Sequence, residues 1–402
     1  MLSGLPLYKR NLIVLWVGCL FTGIGLSLIN PFLPLYIDTL GYFDSRELAF
    51  WSGIIIAAPF LLQALVSPLW GKLADRSGRK LMLLRASLGM SVLMMATGFA
   101  SNVWLLLLCR AAFGLFSGFI SNAVALIAVQ VPKEESGKVL GTLATSNTGG
   151  MLVGPIFGGL FVTFLGYRYV FFVTGSILMI VFILTLALIK EDFTPVAKGA
   201  QIPMREVFAM VERPQIIFGL YLTTLMIMLA NTTINPMLPL YVREMLPVGG
   251  NVELWSGIVA AAPGMTTIIA APLLGALGDR VGTHKVLISG LVFQAMLFLP
   301  MAFVTAVWQI AALRLLLGVA DAALMPSAQA LLTRNSPKEA TSRIFAYNQS
   351  AQSTGMVTGP LVGAAIGGML AIRYVFFATM AFGLANASIV AYVNRKRPGD
   401  KG

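Results

Sequence analysis

The sequence predicts an all-α membrane protein in which twelve transmembrane helices form two pseudo-symmetric six-helix bundles. Three observations support this prediction: the composition, the number of apolar runs and an internal repeat. Hydrophobic residues make up 57% of the 402 residues and charged residues only 11%, about half the charged fraction of soluble proteins. Because a soluble fold needs polar side chains to cover its surface, this composition argues against a soluble enzyme, a nucleic-acid-binding domain and a disordered chain.

The apolar runs give the number of crossings. A membrane-spanning helix needs about 20 predominantly apolar residues, and twelve runs satisfy this requirement. The first run is longer than a signal-peptide core and has no small-residue cleavage site, so it predicts a retained crossing. The predicted crossings lie near residues 12–36, 50–71, 81–100, 104–128, 139–164, 168–189, 215–242, 255–277, 286–304, 307–332, 343–370 and 373–393.

Basic residues indicate the orientation of the chain. If the N-terminus is cytoplasmic, all but six of the 28 Lys and Arg residues fall on cytoplasmic segments. This excess is the positive-inside pattern, and it explains the net charge of +12 without a nucleic-acid partner. We therefore expect both termini to be cytoplasmic. The exceptions are Arg46, Arg168, Arg243 and Arg373 on the outside and Arg110 and Arg314 within crossings.

One long polar interruption divides the chain into two halves. It contains Lys190, Glu191, Asp192 and two prolines. The predicted organisation is an N-terminal six-helix bundle at 1–190, a cytoplasmic linker at 191–214 and a C-terminal six-helix bundle at 215–402.

The cysteines and the histidine exclude several kinds of site. Cys19 and Cys109 both lie in apolar runs, and His284 is the one histidine, so neither a disulfide framework nor a His/Cys metal cluster is indicated. The sequence has no Gly-x-x-x-x-Gly-Lys-Ser/Thr phosphate loop, which argues against ATP as the energy source of this chain. We expect no metal and no cofactor.

The two halves carry the same motifs at an offset of 204 to 205 residues. INPFLPLY at Ile29–Tyr36 returns as INPMLPLY at Ile234–Tyr241, and the later matches keep the same order. They include Trp51 with Trp255, Arg110 with Arg314, Gly154 with Gly359, and Arg168 with Arg373. Because six helices per half is an even number, both halves have the same orientation. Such repeats place a substrate site between them near the midplane, which points to transport.

Three motifs in the sequence resemble those of the major facilitator superfamily. The loop after the second crossing, GKLADRSGRK at 71–80, matches the superfamily's loop motif, and PFLP at 31–34 resembles the drug-exporter pattern of the first crossing. The fifth crossing carries a stripe that resembles the antiporter motif of drug exporters, formed by Gly150, Gly154, Pro155 and Gly158. The resemblance covers essentially the whole chain. It implies the major facilitator fold and a bacterial drug:proton antiporter of the twelve-helix type, working as a monomer in the cytoplasmic membrane.

Two positions depart from the patterns of these relatives. The fourth crossing has Phe113 where the pattern has glutamine, and the first crossing has Asn30 where several relatives carry an acid. Asp38 lies only near the outer end of that crossing. The first crossing therefore has no acid at the position where several relatives carry one.

The loop motif resembles a cytoplasmic gate. Its glycines suit a tight turn, and its aspartate can pair with a neighbouring arginine or accept hydrogen bonds from a helix N-terminus. The predicted gate residues are Gly71, Asp75, Arg76, Gly78 and Arg79 in the first copy and Asp279 and Arg280 in the second. The alternative is that these residues only anchor the chain on the cytoplasmic side.

The glycine stripe of the fifth crossing has two open interpretations. Gly150, Gly154 and Gly158 recur every four residues, so the backbone of a neighbouring helix can approach closely. Pro155 lacks a backbone donor and can bend the helix. Packing alone explains these residues about as well as a role in preventing leak.

Ionisable residues inside the crossings are the strongest functional candidates, because a charge at the bilayer centre costs about 2.5–3.5 kcal/mol on insertion scales. Asp321 is the one carboxylate deep within a crossing, and its repeat counterpart is Ser117. Arg314 lies on the same face about 10 Å away, with Gly318 between them to leave room for water. We hypothesise that Asp321 takes up and releases the coupling proton, aided by Arg314 and Arg110, with Asp38 next in line. The alternative is a structural ion pair.

Cargo contacts are predicted less sharply. Asn30 and Asn235 precede equivalent prolines, and their amides either bind substrate or satisfy carbonyls freed by the prolines. Phe32, Phe113 and Met325 either form an adaptable apolar wall for substrate or simply pack.

Taken as a whole, these features predict a secondary active multidrug efflux transporter and not an enzyme. It would exchange protons for small lipophilic or amphipathic compounds by alternating access across the lipid bilayer. The alternative within transport is a proton-coupled exporter of a sugar, metabolite or lipid. A sensor or a membrane enzyme is disfavoured because the sequence offers no nucleophile–base pair.

Overall fold

The structure is a computed structural model that describes residues 6–132, 135–193, 211, 213–337 and 341–395. Within these ranges the regular structure is helical. The first half contains α1 (Leu7–Ile29), a 3-10 turn (Asn30–Phe32), α2 (Leu33–Asp38), α3 (Ser45–Ser77), α4 (Arg79–Gly98), α5 (Val103–Phe116), α6 (Phe119–Gln130), α7 (Ser136–Leu165) and α8 (Tyr167–Leu188). The second half contains α9 (Pro214–Thr233), α10 (Leu238–Met245), α11 (Val252–Val281), α12 (Thr283–Met301), α13 (Val307–Arg334), α14 (Thr341–Met369) and α15 (Arg373–Arg395).

Each of the twelve predicted crossings is helical, which confirms the predicted fold class. Among the described residues, eleven helical segments are long and apolar enough to cross a membrane. The remaining one, α14, has the required length, but polar side chains such as Asn348, Gln349 and Gln352 lower the hydropathy of its first half. Three crossings consist of two helical pieces each: α1 with α2, α5 with α6, and α9 with α10.

The first and seventh crossings are interrupted at the same motif of the repeat. Pro31 and Pro34 lack the backbone N–H groups that would continue the hydrogen-bond ladder of α1, and the chain passes through a 3-10 turn before α2 begins. The second copy has a turn at 234–237, between α9 and α10. The INP motif therefore interrupts both crossings.

The chain forms two compact units, each containing most of one half of the repeat. The first unit comprises Met1–Phe43, Ile54–Gly199 and Gly249–Ala261, and the second comprises Asp44–Gly53, Ala200–Val248 and Ala262–Gly402. The starts of α3 and α11 are thus grouped with the opposite half. The domain boundaries at 190 and 215 stay a prediction, and most of the predicted linker, residues 194–210 and 212, lies outside the described residues.

Helix packing repeats from one unit to the other. In the first unit α1 packs on α7 and α8, and α4 packs on α5 and α8. In the second unit α9 packs on α14 and α15, and α12 packs on α13 and α15. These helix pairs are equivalent under the repeat, so the two units share the same helix packing as well as the same sequence motifs.

Candidate functional site

Three helices of the second unit bring polar side chains together around Asp321. The side-chain nitrogen of Gln294, on α12, donates to Oδ1 of Asp321, on α13, at 2.8 Å. The same nitrogen donates to Oδ1 of Asn231, on the last turn of α9, at 2.8 Å. The carboxylate of Asp321 is therefore held by the amide of Gln294, which also links it to Asn231 on α9.

Burial within this cluster is uneven. Gln294 is fully buried, and its carbonyl oxygen Oε1 has no hydrogen-bond partner among the described residues. Asp321 and Asn231 are both partly exposed. Asp321 is therefore held by a fully buried donor, while part of the residue itself stays accessible.

Arg314 is the cation that acts on Asp321. It lies two turns earlier on α13, is 9% exposed and interacts electrostatically with the carboxylate. Gly318 between them does not provide the room for water that the sequence suggested. A Cβ atom there would collide with the carbonyl oxygen of Pro263 and the hydroxyl of Thr266 on α11. Glycine at 318 instead lets α11 approach the backbone of α13.

This polar cluster has no equivalent in the first half. At the repeat offsets, Asn231, Gln294 and Asp321 correspond to Leu26, Met90 and Ser117. Asp321 was evident as a candidate from the sequence, but Gln294 was not. Comparing the two halves position by position would have found it, since a glutamine replaces a buried methionine inside a crossing.

Arg110 makes a different buried polar contact in the first unit. It is 4% exposed, and its Nη2 donates to Oδ1 of Asn30 at 3.0 Å. Its Nε has no hydrogen-bond partner within the described ranges, and the guanidinium lies 5.7 Å from the ring centre of Phe113. The structure thus joins Arg110, predicted to aid proton coupling, with Asn30, predicted to bind cargo.

The other predicted cargo and coupling residues are scattered. Phe32 is fully buried and Phe113 is 3% exposed, which favours the packing interpretation for both. Met325 lies one turn after Asp321, packed against the core of the second unit. Asn235 is exposed in the turn between α9 and α10, and Asp38 ends α2 partly exposed. Their roles stay predictions.

The fourth crossing is broken in the middle, which the sequence analysis did not predict. α5 ends at Phe116 and α6 begins at Phe119, with Gly118 at a φ of 122°. Such a φ is readily available only to glycine. The equivalent tenth crossing, α13, runs without a break through Asp321.

Two side chains satisfy carbonyl groups released by this break. Arg85 on α4 donates from Nη1 to the carbonyl of Leu115 and from Nη2 to that of Ser117, each at 3.3 Å. The indole N–H of Trp70 on α3 donates to the Leu115 carbonyl at 2.8 Å. The guanidinium also stacks 3.9 Å above the Trp70 ring. Broken helices are tolerated in membranes where such partners are present.

The end of the loop motif at 71–80 is held by hydrogen bonds to Glu191, a residue outside the motif. Gly78, at a φ of 89°, precedes α4, and the backbone N–H groups of Arg79 and Lys80 donate to the two carboxylate oxygens of Glu191 at 2.8 and 2.7 Å. A Cβ atom at Gly78 would lie 2.8 Å from Glu191 Oε2. The requirement for glycine is therefore both conformational and steric.

The remaining predicted gate residues differ between the copies. In the second copy, Asp279 accepts a hydrogen bond from Arg334, at the end of α13, at 3.3 Å. Both side chains are well exposed, so the pair adds little stability. Arg76 and Arg280 are exposed, Gly71 is partly exposed, and the side chain of Asp75 lies outside the described residues.

The glycine stripe of the fifth crossing packs on the backbone of α1. Cβ atoms at Gly150, Gly154 and Gly158 would each meet carbonyl oxygens of α1, and Ser27 donates to the Gly150 carbonyl at 3.2 Å. In the second unit the same stripe on α14 packs on α9. It consists of Gly355, Gly359 and Gly363, with Thr232 donating to the Gly355 carbonyl at 3.3 Å. The duplication favours the packing interpretation, and the role in preventing leak stays a prediction.

Metal binding finds no support in the part of the chain that the structure describes. There, no group of three or more His, Cys, Asp or Glu side chains could hold a metal ion. Cys19 and Cys109 are free and buried.

Comparisons with known proteins agree on the fold. The sequence profile of the Major Facilitator Superfamily matches residues 15–249 and 220–402. The multidrug resistance protein MdtG of Escherichia fergusonii is 48% identical over 379 residues, covering 94% of this chain and 93% of the relative. MdtG of Salmonella typhimurium is 48% identical over 386 residues, covering 96% of each.

Two solved structures share the architecture at low identity. A bacterial homologue of the human lysosomal transporter Spinster, in an inward-facing and unoccupied conformation, superposes with a TM-score of 0.77 at 15% identity, covering 99% of this chain and all of the other. The human organic anion transporter MFSD10 superposes with a TM-score of 0.71 at 16% identity, covering 96% of this chain and all of the other.

Proposed function

Because the chain belongs to the major facilitator superfamily, we propose that it is a multidrug efflux transporter that exchanges protons for hydrophobic or amphipathic compounds by alternating access. The chain is a multi-pass membrane transporter, and not an enzyme, that acts on small molecules. The direction of transport, the proton and the class of cargo belong to the proposal. So do its location in the bacterial cytoplasmic membrane, its cytoplasmic termini and its working as a monomer.

The carboxylate of Asp321 inside a crossing is the observation that carries this proposal. A transporter without a nucleotide site needs an ion gradient for uphill export, and a proton needs a group that can bind and release it inside the membrane. Asp321 supplies a carboxylate within α13, on a partly exposed residue that Gln294 holds by a hydrogen bond. Arg314 balances its charge when the proton leaves.

The cargo class rests on the relatives. Proteins 48% identical over almost the whole chain are named multidrug resistance proteins, and a similar cargo is expected at that identity. The proposed contacts are the amides of Asn30 and Asn235 and, from the apolar wall predicted with Phe32 and Phe113, the side chain of Met325, since both phenylalanines are buried. An apolar surface with few polar groups suits compounds of varied shape.

Substrate-induced proton movement in proteoliposomes tests the proposal. Purified protein is reconstituted with a pH-sensitive dye inside, a pH gradient is imposed, and a lipophilic cation, a neutral lipophilic drug and a sugar are added separately. We expect proton flux with the lipophilic compounds and none with the sugar or in protein-free liposomes. Flux with polar metabolites or sugars alone would establish the alternative exporter, and no flux with any compound would overturn proton coupling.

A further inference from the structure

We infer that Gln294 is a positioning residue whose side-chain amide changes orientation with the protonation state of Asp321. This change breaks or restores the hydrogen bond between Gln294 and Asn231 at the end of α9. This inference rests on the proposed role of Asp321 as the proton-binding group. It concerns the hydrogen-bond geometry around that group, which the sequence motifs do not address.

The amide of Gln294 can have only one orientation beside an ionised Asp321. Its nitrogen faces Oδ1 of Asp321 and Oδ1 of Asn231, at 2.8 Å each. Both of these atoms are acceptors, so the NH2 group, with its two donor hydrogens, must face them. Its carbonyl oxygen then lies buried with no partner within the described ranges. A buried acceptor without a hydrogen bond costs free energy, which favours any change that gives Oε1 of Gln294 a donor.

Protonation of Asp321 on Oδ1 turns one of the two acceptors that face the Gln294 nitrogen into a donor. A protonated carboxyl group is itself a donor and needs an acceptor, and Oε1 of Gln294 is an adjacent acceptor without a partner among the described residues. Rotation of the Gln294 amide brings Oε1 to the new O–H group and turns the nitrogen away from Asn231. Binding of one proton on α13 therefore breaks the bond between α12 and α9.

The hydrogen bond that is lost, between Gln294 and Asn231, lies beside the interruption of the seventh crossing. Asn231 is on the last turn of α9, which ends at Thr233, immediately before the turn at 234–237 that interrupts the seventh crossing. Releasing its side chain frees the end of α9 beside that interruption. The first half has Leu26, Met90 and Ser117 at the equivalent positions. Because neither Leu26 nor Met90 can replace an amide, this coupling belongs to the second unit.

Among the described residues, Arg314, on the same helix, is the charged group that acts on Asp321. Helix α12 contributes the neutral amide of Gln294, which in turn bonds to Asn231 of α9. The approach of α11 to α13 is made by Pro263 and Thr266, which carry no charge.

Titration of the Asp321 carboxyl by infrared spectroscopy tests the first half of the inference. The band is identified by its loss in Asp321→Asn and followed against pH in reconstituted protein. Gln294→Met and Asn231→Leu, which restore the residues of the first half, should each move the titration midpoint upward by about one pH unit, a tenfold change in proton binding. Gln329→Met, at an exposed glutamine on α13, should leave it unchanged. An unchanged midpoint in both cluster variants would overturn the sensing role, even if Asp321 does not carry the transported proton.

Hydrogen exchange at constant pH tests the second half. Asp321→Asn imitates the protonated state, so the amides of 231–238 should exchange several-fold faster in this variant than in the wild type. In a Gln294→Met background the same substitution should have no further effect. An equal acceleration in both backgrounds, or none in either, would overturn transmission through Gln294. Loss of proton-coupled flux in Asp321→Asn, measured separately, reports on the proposed function alone.

Discussion

Asp321 and Ser117 occupy equivalent positions of the internal repeat, yet the helix is continuous through Asp321 and broken at Ser117. In the first unit, the carbonyl of Ser117 accepts a hydrogen bond from Arg85. In the second unit, the carboxylate of Asp321 accepts a hydrogen bond from Gln294. One position thus interrupts a helix in the first unit and carries the proposed proton-binding group in the second, so the two halves differ within one shared packing scheme.

Arg85 should stabilise the broken crossing. Replacing it by methionine leaves the carbonyl of Ser117 without its donor and removes the guanidinium stacked on Trp70. We expect Arg85→Met to lower the free energy of unfolding by about 2 kcal/mol, since hydrogen bonds from a charged group to partly buried carbonyls are lost. Thermal unfolding in detergent measures this, with Lys138→Met, at an exposed lysine of α7, as the control. Equal unfolding temperatures for Arg85→Met and the control would show that the break is held by other contacts.

Glu191 should cap the start of α4. Removing its carboxylate in Glu191→Ala leaves the N–H groups of Arg79 and Lys80 without their acceptors, a loss of about 1 kcal/mol for a helix cap. Hydrogen exchange of these two amides should accelerate. The neighbouring exposed acid gives a matched control in Asp192→Ala. If both variants exchange alike, the Glu191 contacts do not close the loop motif.

Gly78 should tolerate no side chain. Alanine there would have to adopt a φ of 89° and would crowd Glu191, so Gly78→Ala should destabilise the protein by about 1–2 kcal/mol. It should also accelerate exchange of the Arg79 amide, as Glu191→Ala does. A Gly137→Ala variant at an open helical position serves as the control. Retained stability in Gly78→Ala would contradict the geometry of this turn.

Alanine substitutions in the two glycine stripes can distinguish a packing role from a role in preventing proton leak. Gly154→Ala and Gly359→Ala each place a methyl group against α1 or α9, and overpacking of this kind costs about 1–3 kcal/mol. If packing is their only role, both variants should lose stability to a similar degree and neither should leak protons. Passive proton flux in proteoliposomes without drug decides this. Leak in Gly154→Ala alone, at equal stability, would establish the specific role of the fifth crossing.

The sequence was sufficient for features that depend on local pattern. Apolar length predicted the crossings, and the repeat predicted equivalent pairs such as Gly154 with Gly359, whose packing is the same in both units. It also identified Asp321, because a lone carboxylate in an apolar run has few explanations.

Features that depend on contacts between distant segments could not be predicted in this way. Glu191 meets the loop motif 111 residues away in sequence, and Gln294 meets Asp321 from a different helix. Gly318 illustrates the same limit, since the space beside it is filled by α11. The break at Gly118 needed Arg85 and Trp70 to become tolerable, and neither lies near it in sequence.

Drug-induced proton flux in proteoliposomes containing Asp321→Asn tests the central claim most directly. Asp192→Asn, the same chemical change at an exposed acid, is measured beside it, and both proteins are checked for wild-type unfolding temperature. We expect Asp321→Asn to lose drug-dependent proton flux while Asp192→Asn keeps it. Full drug-dependent flux in a well-folded Asp321→Asn protein would show that Asp321 does not carry the proton and would leave Asp38 as the next candidate.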